Sequence, residues 1–354
     1  MVKRIMILSG GTGGHVFPAL AVAECLRDRG NQVTWMGTRK GLESKVVPAA
    51  GFEIDWLSVS GFRGKNLVGR LLAPLRLVLS CCQSGWILFR RKPDIVLGMG
   101  GFVSGPGGLI AYLARIPLVV HEQNAIPGTT NRWLAKIANQ VLEAFPGSFD
   151  PSVGAICTGN PLREQIADLV NDTKLVKGDQ VNILVVGGSQ GAQILNEMVP
   201  EAVGTLQRRV NVWHQTGEKM QNQVTRVYEK LGLDARVDAF VKDMAFAYKW
   251  ADMVICRAGA MTVSELAAAG LPGILIPFPY AIDDHQTHNA KFVTNGDAGV
   301  LIPQSELNPK SLAEVLCTWS ADVNKILTMG VKAKQLAKPH ATATVCDYCL
   351  RVAT

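Results

Sequence analysis

Ile5-Met6-Ile7-Leu8-Ser9-Gly10-Gly11-Thr12-Gly13-Gly14-His15 sets four apolar residues directly against a cluster of glycines. A short apolar run bounded by glycine reads as a buried strand. The stretch after it reads as a helix from about Phe17 to Arg29, stopped by Gly30. Gln32–Met36 supplies the next strand, so the opening is a βαβ unit of a doubly wound parallel sheet. Asp94-Ile95-Val96-Leu97-Gly98-Met99-Gly100-Gly101 repeats the pattern, and Pro117–Val120 is a further strand running into His121-Glu122-Gln123-Asn124.

The theme restarts at Val181-Asn182-Ile183-Leu184-Val185-Val186-Gly187-Gly188-Ser189-Gln190-Gly191-Ala192. Gly10 and Gly187 lie 177 residues apart, half of the 354-residue chain, which divides it into two similar halves. Such a length suits two α/β domains of roughly 150–180 residues. The crossover Gly159-Asn160-Pro161 is the expected hinge. In the second half, Met253–Cys256 reads as a strand, Val263–Ala269 as a small-residue helix and Ile274–Ile276 as another strand.

Apolar residues make up 48% of the chain and charged residues 18%, a globular composition. The net charge of +7 favours an anionic partner, either a phosphorylated substrate or an anionic lipid surface. Nucleic acid is not expected, because there is no aromatic RNA-binding signature and no long Lys/Arg run. Of the eight cysteines, Cys346 and Cys349 have ligand-like spacing, but no second pair completes a zinc site. Helix packing in a reducing cytoplasm is the expectation. Ile5–Leu8 is too short for the apolar core of a signal peptide, and Arg70 and Arg76 interrupt the apolar stretch Leu67–Phe89, so no transmembrane helix is expected.

A strand that turns into a helix through glycines aims backbone N–H groups and the positive helix end at whatever sits above it, which makes an anion site. One such turn is weak; two at matching positions point to a phosphate-bearing ligand held between the halves. Gly64-Lys65 is followed by Asn66, so there is no ATP-type P-loop. The second strand ends Trp35-Met36-Gly37-Thr38 without the acid that a dehydrogenase places on its ribose. Glu265, one helical turn beyond Gly259–Met261, reads either as a ribose ligand or as a capping-box acid with Thr262 or Ser264.

His15, at the end of the first glycine turn, reads either as a general base or as a histidine packed at a helix start. A positive helix end favours its neutral form. Glu122 reads as an alternative base or as a brace for the adjacent loop, and His214 as a satisfied core histidine. The polar run Asp283-Asp284-His285-Gln286-Thr287-His288-Asn289 offers amides for sugar hydroxyls. Its Asp-Asp-His cluster hints at a metal, but no Asp-x-Asp occurs and positive helix ends make a cation unnecessary. Residues 61–92 mix Arg63, Lys65, Arg70, Arg76, Arg90, Arg91 and Lys92 with Leu67, Leu71, Leu72, Leu75, Leu77, Leu79, Trp86, Ile87 and Phe89. That mixture suits docking on an anionic bilayer, or a core helix with a solvated basic side.

Taken in order, Gly10–His15, Gly98–Gly107, His121–Asn124, Gly159–Arg163, Gly187–Ala192 and Arg257–Glu265 resemble the bacterial MurG family of glycosyltransferases over nearly the whole chain. The resemblance implies a GT-B fold, two Rossmann-like domains facing across a cleft. One would be a membrane- and acceptor-facing domain over 1–160, to which a helix at about 340–354 returns. The other would be a UDP-sugar domain over 161–339. It further implies inverting transfer of N-acetylglucosamine from UDP-N-acetylglucosamine to the 4-hydroxyl of undecaprenyl-diphospho-N-acetylmuramoyl-pentapeptide (lipid I). It implies no cofactor or metal, and peripheral attachment to the cytoplasmic face of the inner membrane.

Carried over by position, Thr12, Gly13, Gly14 and Asn124 would meet the donor from the first half. Arg163, Ser189, the backbone at Val241, Ala260, Met261, Thr262, Val263, Ser264, Glu265 and Gln286 would meet it from the second. His15 matches the proposed base, with Glu122 as the alternative. The rival expectations are a UDP-N-acetylglucosamine 2-epimerase on the same architecture and a non-catalytic UDP-sugar-binding protein.

Overall fold

The computed structural model describes residues 2–58, 73–173, 180–188 and 191–353. The chain separates into two compact units, residues 1–163 with 340–354, and residues 164–339.

The first unit holds a seven-stranded sheet in the order β3-β2-β1-β4-β5-β6-β7. Its strands are β1 (Arg4–Leu8), β2 (Gln32–Gly37), β3 (Glu53–Trp56), β4 (Ile95–Gly98), β5 (Leu118–Glu122), β6 (Gln140–Glu143) and β7 (Ile156–Cys157), all paired in parallel. Parallel strands are covered by helices on both faces, which is why they read as unbroken apolar runs. Ile5, Ile7, Ile95 and Leu97 pack under the helix Gly13–Asp28 and the C-terminal helix Ala341–Val352. The alternate residues Met6, Leu8, Met36, Val96 and Val120 face Ile87, Leu88, Val103, Ala111 and Leu134 on the opposite side. Cys346 and Cys349 are buried in the first of these layers, and burial pushes the Cys349 thiol up to about 12. Their spacing is that of one helix face packed on the helix Gly13–Asp28.

The second unit holds a six-stranded parallel sheet, β10-β9-β8-β11-β12-β13. The strands are β8 (Val181–Val186), β9 (Val210–Gln215), β10 (Ala235–Asp238), β11 (Met253–Cys256), β12 (Gly273–Leu275) and β13 (Gly299–Leu301). Val181, Ile183, Val185, Met253, Ile255 and Ile274 pack against Leu195 and Val199 of the helix Gln193–Gly204 and Leu312, Leu316 and Trp319 of the helix Pro309–Ala321.

Two helix starts differ from the sequence expectation. The first helix begins at Gly13, not near Phe17, with Thr12 as its extended N-cap (φ −99°, ψ 162°). Pro18 sits inside this helix, where its missing N–H is the one that would have met the Gly14 carbonyl. The second-half helix likewise runs Ala260–Ala269 from Gly259, three residues earlier than expected, and ends on left-handed Gly270 (φ 62°). In both cases the helix grows out of the glycine turn itself. The following strand is Gly273–Leu275, one residue earlier than expected.

Candidate active site

In each sheet the strand order reverses at the first strand of the unit, β1 between β2 and β4 and β8 between β9 and β11. Ligands of doubly wound sheets sit at such switch points, beyond the carboxyl ends of the strands. Every glycine turn singled out in the sequence lies at one of them: Gly10–Gly14 after β1, Gly98–Gly101 after β4, Gly187–Ala192 after β8 and Gly259–Met261 after β11.

In the first unit His15 is the third residue of its helix, half-buried, with Nδ1 3.3 Å from Thr12 Oγ1. Its ring lies against the backbone of Gly100 (φ +94°). A Cβ there would come within 2.5 Å of His15 Cδ2 and 2.9 Å of Nε2. Gly101 (φ +80°) is as confined, since a Cβ would strike the Gly10 carbonyl. Ser104 ties the two turns together. Its Oγ accepts from the Gly100 N–H (3.1 Å) and lies within reach of both Leu8 O (2.9 Å) and Gly100 O (2.8 Å) for its single proton. Nothing in the periodicity marks Ser104 for this task.

Glu122 ends β5, fully buried. Its carboxylate accepts from the N–H groups of Asn124 (2.9 Å) and Gly128 (3.0 Å), and from the side-chain amides of Asn124 (3.2 Å) and Asn131 (2.9 Å). Four donors fix the loop that carries Asn124. His121 Nε2–H donates to Gly159 O (3.0 Å), its Nδ1 faces the Gln123 amide (3.1 Å), and burial lowers it from 6.5 to about 4.

The crossover is tied to the first unit up to residue 162, because the Asn160 amide donates to Gln123 O (3.0 Å) and the Thr342 hydroxyl to Leu162 O (2.9 Å). Arg163 is therefore the last residue of the first unit and not part of the second, with its guanidinium 6.0 Å from the centre of the Phe17 ring.

In the second unit Gly187 has no room for a Cβ against Ala192, and left-handed Gly191 (φ +73°) presses on the Thr216 carbonyl. Ser189 and Gln190 lie outside the described residues. Gln215, the buried last residue of β9, bridges two loops: its amide donates to Gly188 O (2.9 Å) and its Oε1 accepts from the Val241 N–H (2.9 Å). Of the Val241 backbone expected to face a ligand, the N–H is thus engaged within the protein. Gln215 was not singled out in the sequence; its one legible signal is a polar residue at the carboxyl end of a strand.

Ala260, Met261, Thr262, Val263, Ser264 and Glu265 form the first two turns of the helix after β11, with Gly259 as an extended N-cap (φ −65°, ψ 143°) that makes no side-chain cap. The capping-box reading of Glu265 fails because the helix starts too early: Glu265 is its sixth residue. Its Oε2 accepts instead from the buried Tyr248 hydroxyl at 2.8 Å. Ser264 donates to Ala260 O (3.0 Å) and Asn289, buried, to Ala258 O (3.2 Å). Gln286 Oε1 accepts from the Phe278 N–H (2.9 Å), which fixes that amide at the start of the helix His285–Asn295. Asp284 and His285 cap local turns, through Thr287 Oγ1 (2.7 Å) and Ile282 O (2.7 Å). Among the described residues no three His, Cys, Asp or Glu side chains converge as metal ligands. His214 is a core histidine: buried, 3.0 Å from the Tyr228 hydroxyl, lowered from 6.5 to about 3 by burial.

Residues 5–143 match the model of the glycosyltransferase family 28 N-terminal domain, and residues 182–345 that of the glycosyltransferase family 28 C-terminal domain. The chain belongs to glycosyltransferase family 28. A family 28 relative from Methylococcus capsulatus (strain ATCC 33009 / NCIMB 11132 / Bath) is 57% identical over 354 residues, 100% of this chain and 99% of that protein. It is named UDP-N-acetylglucosamine--N-acetylmuramyl-(pentapeptide) pyrophosphoryl-undecaprenol N-acetylglucosamine transferase. A protein of the same name from Nitrosococcus oceani is 50% identical, with 100% of each chain covered. Among solved structures, that of Acinetobacter baumannii MurG superposes with a TM-score of 0.85 at 38% identity, covering 99% of each chain. The family 28 domains and this structural neighbour make the chain an α/β protein of the GT-B class, built on the two parallel sheets described above.

Proposed function

We propose that this enzyme transfers N-acetylglucosamine from UDP-N-acetylglucosamine to undecaprenyl-diphospho-N-acetylmuramoyl-pentapeptide in peptidoglycan synthesis. The end-to-end identity of 57% to an N-acetylglucosamine transferase of that name carries the reading. The acceptor's 4-hydroxyl attacks C1 of the sugar with inversion, the bond from C1 to the UDP oxygen breaks, and UDP departs.

His15 takes the hydroxyl proton. Its Nδ1 lies 3.3 Å from Thr12 Oγ1, which orients the imidazole for that transfer. The four donors on Glu122 favour a loop brace over a base for that residue, and through the loop it holds Asn124 toward the donor. Charge growing on the leaving diphosphate is met by N–H groups and positive helix ends at the Gly187–Ala192 turn, with Ser189, and at Ala260–Ser264. Glu265 takes the ribose hydroxyls and Gln286 the sugar, while Val241 offers its carbonyl. Arg163, Thr12, Gly13 and Gly14 complete the donor contacts.

The lipid acceptor demands a membrane surface. Among the described residues no helix is long and apolar enough to cross one. The helices Ala73–Arg91, Ser104–Leu113 and Thr129–Leu134 expose Leu75, Trp86 (60%), Phe89 (78%), Leu113 and Trp133 (67%). Arg90 lies over Trp86 and Lys136 over Trp133. An apolar patch rimmed with cations supports peripheral docking on the anionic cytoplasmic face of the inner membrane. Residues 61–72 of the stretch singled out for docking lie outside the described residues.

Incubation with UDP-N-acetylglucosamine alone and then with a short-chain acceptor analogue tests the assignment. Sugar transfer is expected only with the acceptor. Epimerised donor in the first incubation, or binding without transfer in the second, would overturn it.

A further inference from the structure

The second strand lacks the ribose-binding acid of a dehydrogenase, yet an acid does follow it, at Glu43, and it points inward. Glu43 is fully buried at the first residue of the helix Glu43–Ala49. Its Oε2 accepts from the Gly11 N–H (2.9 Å), and its Oε1 from the N–H (2.9 Å) and hydroxyl (2.7 Å) of Thr38. The neighbouring Leu42 N–H donates to Gly11 O (3.2 Å). Among the described residues it forms no ion pair. A buried carboxylate held only by neutral donors is costly to desolvate, so its three hydrogen bonds fix their partners tightly.

Those partners are loops, not core. Gly11 follows β1 and Thr38 follows β2, so one carboxylate bolts together the carboxyl ends of two strands. Three glycines leave it space: a Cβ at Gly10 would lie 2.6 Å from Glu43 Oε1, one at Gly37 2.9 Å from its Cγ, and one at Gly41 would collide with the carboxylate. Gly10 carries the carbonyl against which Gly101 packs, and Gly100 is the wall behind the His15 ring. Thr12, next after Gly11, caps the helix and meets His15 Nδ1. One support of the imidazole, Thr12, therefore follows the Gly11 that Glu43 holds, and the other rests through Gly101 on Gly10, which closes on the Glu43 carboxylate.

We infer that Glu43 is a positioning residue for transfer: it sets the Gly10–His15 turn and, through it, the place of the His15 imidazole. The inference rests on the reading of His15 as the base. It also takes the Gly11 N–H out of ligand binding.

The test is a double-mutant cycle on the full-length enzyme with Glu43→Gln and His15→Ala. The amide keeps the volume but turns an NH2 toward N–H donors. Because a misplacement near 1 Å costs on the order of 10²-fold in rate, kcat should fall by about that factor. The KM for UDP-N-acetylglucosamine should change far less than kcat, because the second unit supplies the rest of the donor contacts, and a full UDP-binding stoichiometry should show that the loss of kcat is not a smaller folded fraction. In the His15→Ala background, the same change should cost less than about 3-fold, because residues acting as a unit are non-additive. A wild-type kcat for E43Q, an equal loss in both backgrounds, or a loss confined to donor KM would overturn the inference. Should E43Q not fold, Thr38→Val removes only the hydroxyl donor. It should then lower kcat several-fold with a smaller change in donor KM, and a wild-type kcat there would equally overturn the inference. Near-full turnover of H15A by itself overturns the base assignment, and is recognised before Glu43 enters the comparison.

Discussion

Replacing Gly100 with alanine tests the wall behind His15. Gly100 has φ +94°, and an L-residue held in a positive-φ conformation costs about 1–2 kcal/mol. The new methyl would sit 2.5 Å from His15 Cδ2, about 1 Å closer than ordinary contact, with the Asn131 amide 3.6 Å away on another side. The ring has to yield by about that distance, and such a misplacement costs on the order of 10² in rate. Complete loss of a general base costs about 10²–10⁴. The expected outcome for Gly100→Ala is a kcat for transfer to a lipid acceptor analogue lower by about 10²-fold, with UDP affinity by calorimetry unchanged and a melting temperature a few degrees lower. Gly30→Ala supplies the control. Gly30 also has positive φ (+81°) but no neighbour within 4 Å of its would-be Cβ, so the variant should lose similar stability while keeping its kcat. Equal kcat values for Gly100→Ala and Gly30→Ala would refute the reasoning, because strain alone would then account for the effect.

Removing the Tyr248 hydroxyl, which donates to Glu265 at 2.8 Å, releases the carboxylate it orients, and a misplaced ligand group should weaken donor affinity by roughly several-fold. Isothermal titration of Tyr248→Phe with UDP-N-acetylglucosamine checks this, and unchanged affinity would remove Glu265 from the ribose. His121 and His214 are held at about 4 and about 3, below the ordinary 6.5, so the unfolded chain binds more protons in that window. Stability is full above pH 6.5 and falls as pH drops, His121 alone accounting for about 3 kcal/mol by pH 4. Urea titrations between pH 7 and 5 should show the decline, and His214→Gln should flatten it. Trp86→Ser with Phe89→Ser should weaken sedimentation with anionic vesicles while leaving UDP binding intact; unchanged sedimentation would move the docking surface elsewhere.

Strand, glycine turn and helix were legible along the chain because each is a local pattern. Four apolar residues before glycines have few alternatives to a buried strand, and two such units half a chain apart imply two sheets. The helix starts were misplaced because a helix can begin within glycines once a switch-point turn holds them, and Pro18 one turn inside is tolerated where only the Gly14 carbonyl loses a partner. Local pattern also named His15, Glu122 and Glu265, but it left each with two readings.

What bears on those readings is contacts between residues far apart in sequence. Asn124, Gly128 and Asn131 converge on Glu122, and Glu265, the sixth residue of its helix and so no capping-box acid, meets Tyr248 of another helix. Glu43, Ser104 and Gln215 carry no periodic signal for these contacts, since a buried polar side chain is defined by what surrounds it. Only the parallel order of the strands brings Gly11, Thr38 and Glu43 together, or sets Gly100 against His15. Composition and spacing along the chain decided that there are two phosphate-competent glycine turns. The folding of each sheet around its first strand decided which side chains stand behind them.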